Sequence, residues 1–100
     1  MENQHRKIKG YRELSQEEID LMNRIKAKGA EMLDLQYELE HMLRQQADEK
    51  SANAAANTSD YAEFERFMDA EPLRWSAIGK TDIQTGIMAL VRAVAQPAVV

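Results

Sequence analysis

An apolar series in the first half of the chain constrains the fold more than any other feature. Its members recur at intervals of three and four residues: Ile19, Met22, Ile25, Gly29, Met32 or Leu33, Gln36, Leu39 and Leu43. This spacing places one apolar face along an α-helix, and the capping-box pair Ser15 and Glu18 marks its start. The predicted helix, residues 16–47, is roughly 48 Å long, whereas a compact chain of 100 residues is only roughly 34 Å across. One subunit therefore cannot cover this helix.

The rest of the chain divides into shorter segments. The predicted segments are an arm at 1–14, the long helix at 16–47, a loop or frayed helical end at 48–59, a short helix at 60–70 and a C-terminal helix at 72–96. Asp60 is the expected cap of the short helix, and Pro72 suits the first position of the last helix. Strong helix formers far outnumber β-branched residues. We predict a single all-α domain over residues 1–100, an elongated helical hairpin with an N-terminal arm that assembles as a symmetric homo-oligomer.

The composition excludes several classes of function. The chain has no cysteine, which removes disulfides, thiolate metal sites and cysteine nucleophiles. His5 and His41 lie in different segments, so we predict no catalytic site, metal or cofactor. No apolar run is long enough for a membrane span, and the first residues do not resemble a signal peptide, so we expect a cytoplasmic protein without a membrane partner. A net charge of −4 disfavours DNA or RNA polymers and leaves a small anion as a ligand.

Two residues near the start of the chain are candidates for binding such an anion. Lys26 falls within the seven-residue series Ile19, Lys26, Leu33, on or beside the buried stripe. It is either a lysine whose stem packs while its ammonium reaches water, or a half-buried cation that meets an anionic ligand. Tyr11 stands among basic residues and offers either a plane for a nucleobase or simple packing.

Polar groups also interrupt the apolar surface of the last helix. Gly79-Lys80-Thr81 resembles the end of a phosphate-binding loop, but Arg74 stands where that motif requires glycine. The polar groups here either meet a ligand or pair with symmetry-related copies. Small residues Gly79, Gly86 and Ala93 are spaced by seven, which favours close approach of another helix.

Two long blocks of the sequence resemble a known family. The blocks are HRKIKGYRELSQEEIDLMNRIK at residues 5–26 and RWSAIGKTDIQTGIMALVRAVAQP at residues 74–97. They cover nearly half of the chain and are similar to those of the phage anti-CBASS cyclic-oligonucleotide sponges. Residues 29–71 do not carry the resemblance.

The resemblance implies a helical homohexamer that binds cyclic di- and trinucleotides and does not cleave them. Such a protein lowers the free messenger in the host bacterial cytoplasm, so that the defence effector is not activated. Family positions for dinucleotides match Tyr11, which stacks a base, and Lys26, which meets a phosphate. The site residues we assign are Tyr11, Arg12 and Lys26 for cyclic dinucleotides, and Arg74, Lys80, Thr81 and Gln84 for cyclic trinucleotides.

Symmetry links the implied ligands to the implied assembly. Cyclic di- and trinucleotides have approximate two-fold and three-fold symmetry, so identical groups from two or three subunits can meet them. The rival interpretation is a coiled-coil-like oligomerisation or adaptor module without a small-molecule ligand. A phosphodiesterase would need a metal or general-base constellation that the sequence lacks.

Overall fold

The computed structural model describes residues 12–98, and every regular element in this range is helical. The elements are α1 at Gln16–Ala56, a 3-10 turn at Thr58–Asp60, α2 at Tyr61–Ala70 and α3 at Pro72–Ala95. The all-α prediction is confirmed for this range. The predicted arm at 1–14 falls almost wholly outside it. None of the helices in residues 12–98 combines the length and the apolar character that a bilayer crossing needs.

The start of α1 is fixed by the predicted capping box. The Glu18 backbone N–H donates to Ser15 Oγ at 3.1 Å, and the Ser15 backbone N–H donates to Glu18 Oε1 at 2.9 Å. Each side chain thus satisfies a backbone donor that the first helical turn leaves without a partner. The helix consequently begins at Gln16.

The predicted loop at residues 48–59 is wrong for most of its length, because α1 continues to Ala56 instead of ending near Ala47. Alanine has the highest helix propensity and is frequent in this stretch. Lys50 also contacts α2, with its Nζ 2.9 Å from Glu63 Oε2 and 5.8 Å from the centre of the Phe67 ring. Local propensity and contacts with α2 together keep the segment helical.

The helix ends follow backbone constraints that are partly visible in the sequence. Asp60 occupies the N-cap position of α2, as expected, but its side chain makes no cap bond, and its backbone is right-handed helical as part of the 3-10 turn. Asn57 caps that turn instead, its side chain accepting from the Ser59 backbone N–H at 3.1 Å. Glu71 adopts a left-handed conformation, with φ 50° and ψ 51°, because the residue before a proline is disfavoured in the right-handed helical region. Pro72 then begins α3.

The helices contribute to two compact units, and the described part of the first comprises residues 12–31 and 83–98. Gly29 on α1 is buried there. A methyl group at this position would overlap the side chain of Ile87 on α3. α1 and α3 therefore approach each other closely at Gly29.

The second unit, residues 32–82, holds the two buried large apolar side chains among the described residues. Leu43 is 8% exposed and Phe67 is 5% exposed. Gln36 and Ser76 are buried beside this small core, and Gln36 Nε2 donates to Ser76 Oγ at 3.0 Å. A buried amide and hydroxyl that satisfy each other fix how α1 packs on α3 within this unit.

Large apolar side chains remain exposed in both units. Among the most exposed are Leu35, Tyr37, Tyr61, Trp75, Met88 and Leu90. Tyr37 is 62% exposed and Met88 is 68% exposed. A single chain thus leaves much of its apolar surface uncovered.

Candidate functional site

The first unit contains a groove that is lined by two cations and by apolar side chains. Its volume is about 460 Å³, and its lining residues are Lys26, Ile87, Met88, Val91, Arg92, Ala95 and Pro97. We call this the Lys26 groove. α1 supplies Lys26, α3 supplies five of the others, and Pro97 lies two residues beyond the end of α3. Helical spacing explains the wall, since Ile87, Val91 and Ala95 recur every four residues on one face of α3.

The groove is electrostatically unlike the chain as a whole. The protein carries a net charge of −4, yet the described residues that line the groove include one lysine, one arginine and no carboxylate. Two positive charges beside an apolar wall favour an anion that also has flat or apolar parts. A nucleotide combines both properties.

Arg12 lies close to this groove and is held by four hydrogen bonds. Its Nη2 donates to Glu18 Oε2 at 2.6 Å and to the Val94 carbonyl at 2.8 Å. Its Nη1 donates to Glu18 Oε1 at 3.4 Å and its Nε to the carbonyl of Ala95, a groove residue, at 3.3 Å. These carbonyls lie at the C-terminal end of α3, where a cation is favourable. Arg12 therefore ties the entry to α1 to the end of α3.

The ion pair also changes the titration of Glu18. The hydrogen bonds from the Arg12 guanidinium, followed by the bond from the Ser15 backbone N–H, lower the pKa of Glu18 to about 2. A carboxylate that accepts charge-assisted hydrogen bonds is stabilised in its ionised form. The Arg12–Glu18 pair thus stays charged well below neutral pH.

A second, smaller hollow lies in the second unit, along the first half of α3. Its volume is about 300 Å³, and its lining residues are Arg74, Ala77, Ile78, Thr81 and Asp82. We call this the Arg74 hollow. Arg74 also stacks on Trp75, with 4.8 Å between the guanidinium carbon and the ring centre, and pairs with Glu71 at 3.2 Å. Its guanidinium is held over an exposed aromatic plane.

Comparison with known proteins identifies the family. A family profile described as "Acb2/Tad1, hairpin domain" matches residues 3–95. The chain belongs to the Acb2/Tad1 hairpin-domain family. Its sequence is 57% identical to Anti-CBASS protein 2 of Pseudomonas phage JBD67 over an alignment of 105 positions, which covers 97% of each protein. The family resemblance of the two terminal blocks is confirmed, and the match also passes through residues 29–71.

The structure of this Acb2/Tad1 hairpin brings some assigned site residues together. Lys26 lies in the groove, and Arg12 is tied to Ala95 in its wall. Tyr11 lies outside the described residues. Arg74 and Thr81 line the same hollow.

The other two assigned residues lie apart from that hollow. Lys80 is exposed and near Glu40, whose pKa is lowered mainly by a hydrogen bond from Arg44, with a smaller electrostatic contribution from Lys80. Gln84 belongs to the first unit and is not part of the Lys26 groove lining. The assigned trinucleotide residues therefore do not form one continuous lining.

Sequence reasoning missed Arg92, the second cation of the groove. A signal was present, because Arg92 is the lone charged residue within 83–97, an otherwise uncharged stretch. It also missed Asp82 in the Arg74 hollow. Within residues 12–98, no three histidine or acidic side chains converge in a way that could hold a metal ion.

Proposed function

We propose that this Acb2/Tad1 hairpin binds cyclic di- and trinucleotide messengers, holds them intact, and so prevents activation of bacterial CBASS effectors. Membership of the family and 57% identity to a phage protein named for anti-CBASS activity support this proposal. The protein would act in the cytoplasm of the infected bacterium. Its role is sequestration, and it is not an enzyme.

The Lys26 groove is the observation that carries the proposal. A cyclic dinucleotide presents two flat bases and two phosphates, each with one negative charge. The groove offers cations for the phosphates and an apolar wall for a base or sugar. Among residues 12–98, no carboxylate lines the groove and repels the ligand.

The residues before α1 complete the proposed dinucleotide site. Tyr11 stacks a base, and Lys26 neutralises a phosphate. Arg12 was assigned to the same pocket. With its guanidinium donating to Glu18, Val94 and Ala95, we propose that it holds the start of α1 against the end of α3 instead of contacting the ligand itself.

The proposed trinucleotide site uses the first half of α3. Arg74 and Thr81 supply a cation and a hydroxyl in the Arg74 hollow. Lys80 and Gln84 are the further residues we assign to this ligand. Because a cyclic trinucleotide has approximate three-fold symmetry, three copies of these groups would meet it at a three-fold axis.

A homohexamer with two-fold and three-fold axes would supply both kinds of site. The exposed Tyr37, Trp75 and Met88 support assembly, since such apolar side chains in number are usually covered by a partner. Within the part of the chain that the structure describes, a methyl group added at Gly86 would meet no neighbouring element within 4 Å, which leaves room for another copy. Self-association would also explain how a chain with so small a core folds stably.

Calorimetry with a panel of cyclic di- and trinucleotides tests the proposal. We expect saturable binding of members of both classes. Ligand released by heating the complex should have the mass of the intact cyclic molecule. Linear products would overturn sequestration, and an absence of binding across the panel would favour the oligomerisation or adaptor module.

A further inference from the structure

The Lys26 groove has a second cation that the assigned dinucleotide site leaves unused. Arg92 comes from the last turn of α3 and lines the groove together with Lys26 of α1. We infer that Arg92 binds a phosphate of the cyclic dinucleotide beside Lys26. This inference rests on the proposed function and deepens it, since it assigns the residue that grips the phosphate oxygens.

Arg92 is available for this role in a way that the other arginines near a candidate site are not. Within residues 12–98, its guanidinium forms no ion pair, and neither does the Lys26 ammonium. Arg12 is bound to Glu18 and two carbonyls, and Arg74 is bound to Glu71. The two cations in the groove therefore lack a competing carboxylate in the described chain.

The chemistry of the two cations is complementary. A phosphodiester has two non-bridging oxygens that share one negative charge. The planar guanidinium presents parallel N–H donors that match this pair of oxygens, whereas an ammonium acts as a point charge. Arg92 would thus set the orientation of the phosphate, and Lys26 would add to its neutralisation.

Arg92 could also serve only to stabilise the C-terminal end of α3. A cation in the last turn of a helix interacts favourably with the partial negative charge at the helix C-terminus. Lysine would serve that purpose almost as well as arginine. Arg92→Lys therefore keeps a cation at the helix end but removes the parallel N–H donors of the guanidinium.

The test measures binding of cyclic di-GMP and cyclic di-AMP by calorimetry to four proteins. These are the wild type, Arg92→Gln, Arg92→Lys and the control Arg24→Gln. Arg24 is exposed on α1 close to Lys26 but is not part of the groove lining, so its replacement removes the same charge from the same region. Circular dichroism and light scattering establish that each variant keeps its helices and its mass.

We expect Arg92→Gln to weaken binding of the better ligand about 10- to 100-fold, which corresponds to the loss of hydrogen bonds to a charged group. Arg92→Lys should weaken it by roughly 3- to 10-fold, since charge remains without the fork. Arg24→Gln should stay within about two-fold of the wild type.

A folded Arg92→Gln with wild-type affinity would overturn the inference. If Arg92→Gln does not fold, an Arg92→Lys variant with wild-type affinity would overturn the inference that the guanidinium binds the phosphate oxygens. The proposed function still stands in that case if the wild type binds cyclic dinucleotides and Lys26→Ala does not. A wild type that binds neither these two nor any other cyclic dinucleotide overturns both.

Discussion

Gln36 of α1 and Ser76 of α3 are joined by a buried hydrogen bond, with 3.0 Å between the amide Nε2 and the hydroxyl Oγ. The same Nε2 also donates to the Ser76 carbonyl at 3.4 Å and to Glu40 Oε1 at 3.2 Å. One side chain thus supplies donors to three acceptors. This asymmetry makes the two partners unequal in their contribution to stability.

We expect Gln36→Ala to lower the free energy of unfolding by about 1–3 kcal/mol, because buried acceptors lose their donor. Ser76→Ala should cost less, since Gln36 retains its other two acceptors. Urea denaturation at fixed protein concentration measures both, and exposed Gln45→Ala on α1 is the control. A larger cost for Ser76→Ala than for Gln36→Ala would contradict this account.

The contact between Gly29 and Ile87 predicts an unusual sign for a helical substitution. Alanine normally stabilises a helix interior by about 1 kcal/mol relative to glycine. At residue 29 the added methyl group overlaps two atoms of a branched side chain that has few alternative rotamers. Gly29→Ala should therefore destabilise the protein by about 1–3 kcal/mol.

A double-mutant cycle isolates that contact. Ile87→Ala alone should be destabilising, but Gly29→Ala should cost less in its presence, because the space for the methyl group is then open. Thermal unfolding at one protein concentration gives the four values. An increase in melting temperature for Gly29→Ala alone is the result that the structure does not allow.

The Arg12–Glu18 pair predicts how stability responds to acid. The pKa of Glu18 is lowered from 4.5 to about 2 in the folded protein. The ionised group therefore stabilises the fold fully at pH values above its ordinary pKa. The contribution is lost as the pH falls from about 4.5 through about 2. Denaturation midpoints of the wild type and Glu18→Gln should therefore converge across this interval. A gap that widens on acidification would contradict the ion pair.

The two proposed ligand sites predict opposite selectivity. Lys26→Ala should weaken cyclic-dinucleotide binding by roughly 2–5 kcal/mol, and Tyr11→Ala by roughly 1–3 kcal/mol. Neither substitution should much affect the binding of cyclic trinucleotides. Lys80→Ala and Thr81→Ala should weaken cyclic-trinucleotide binding and leave cyclic-dinucleotide binding nearly unchanged. Lys28→Ala is the matched control, since Lys28 is an exposed lysine of α1 that pairs with Glu31.

Light scattering must accompany these measurements, because a loss of assembly in Lys26→Ala or Lys80→Ala would also weaken binding. The idea of two independent sites is falsified if hexameric Lys26→Ala loses both ligand classes together. It fails equally if that variant keeps full affinity for cyclic dinucleotides.

Exposed apolar residues predict the response of the assembly to added charge. Leu90 on α3 is exposed and does not line the Lys26 groove. If a neighbouring copy covers it, Leu90→Glu buries a carboxylate and should shift the proposed hexamer toward smaller species. Gln45→Glu adds the same charge at an exposed polar position of α1 and should leave the mass unchanged. A wild-type mass near 11.4 kDa at micromolar concentration would contradict assembly itself.

Features that depend on neighbours in sequence could be predicted. The Ser15–Glu18 box and the break before Pro72 involve residues within one helical turn, so their geometry follows from the local sequence. The extension of α1 to Ala56 could not be predicted in the same way. It involves Lys50 with Glu63, a contact that exists only once α2 has folded back.

The residues of the candidate site also differ in whether the local sequence reveals them. Lys26 could be found because its charge interrupts an apolar repeat on its own helix. Arg92 was missed because its meaning depends on the groove it shares with Lys26, which no local pattern reveals. The hydrogen bonds from Arg12 to the carbonyls of Val94 and Ala95 could not be predicted, because these residues are distant in sequence.

The Lys26 groove and the Arg74 hollow have no residue in common, and each lies wholly within one of the two units. A substitution in one lining therefore changes no side chain of the other. If the two bind the ligands proposed for them, natural selection can adjust either specificity by point mutation without a compromise in the other. A phage that meets hosts with different messengers would then adapt to each of them independently.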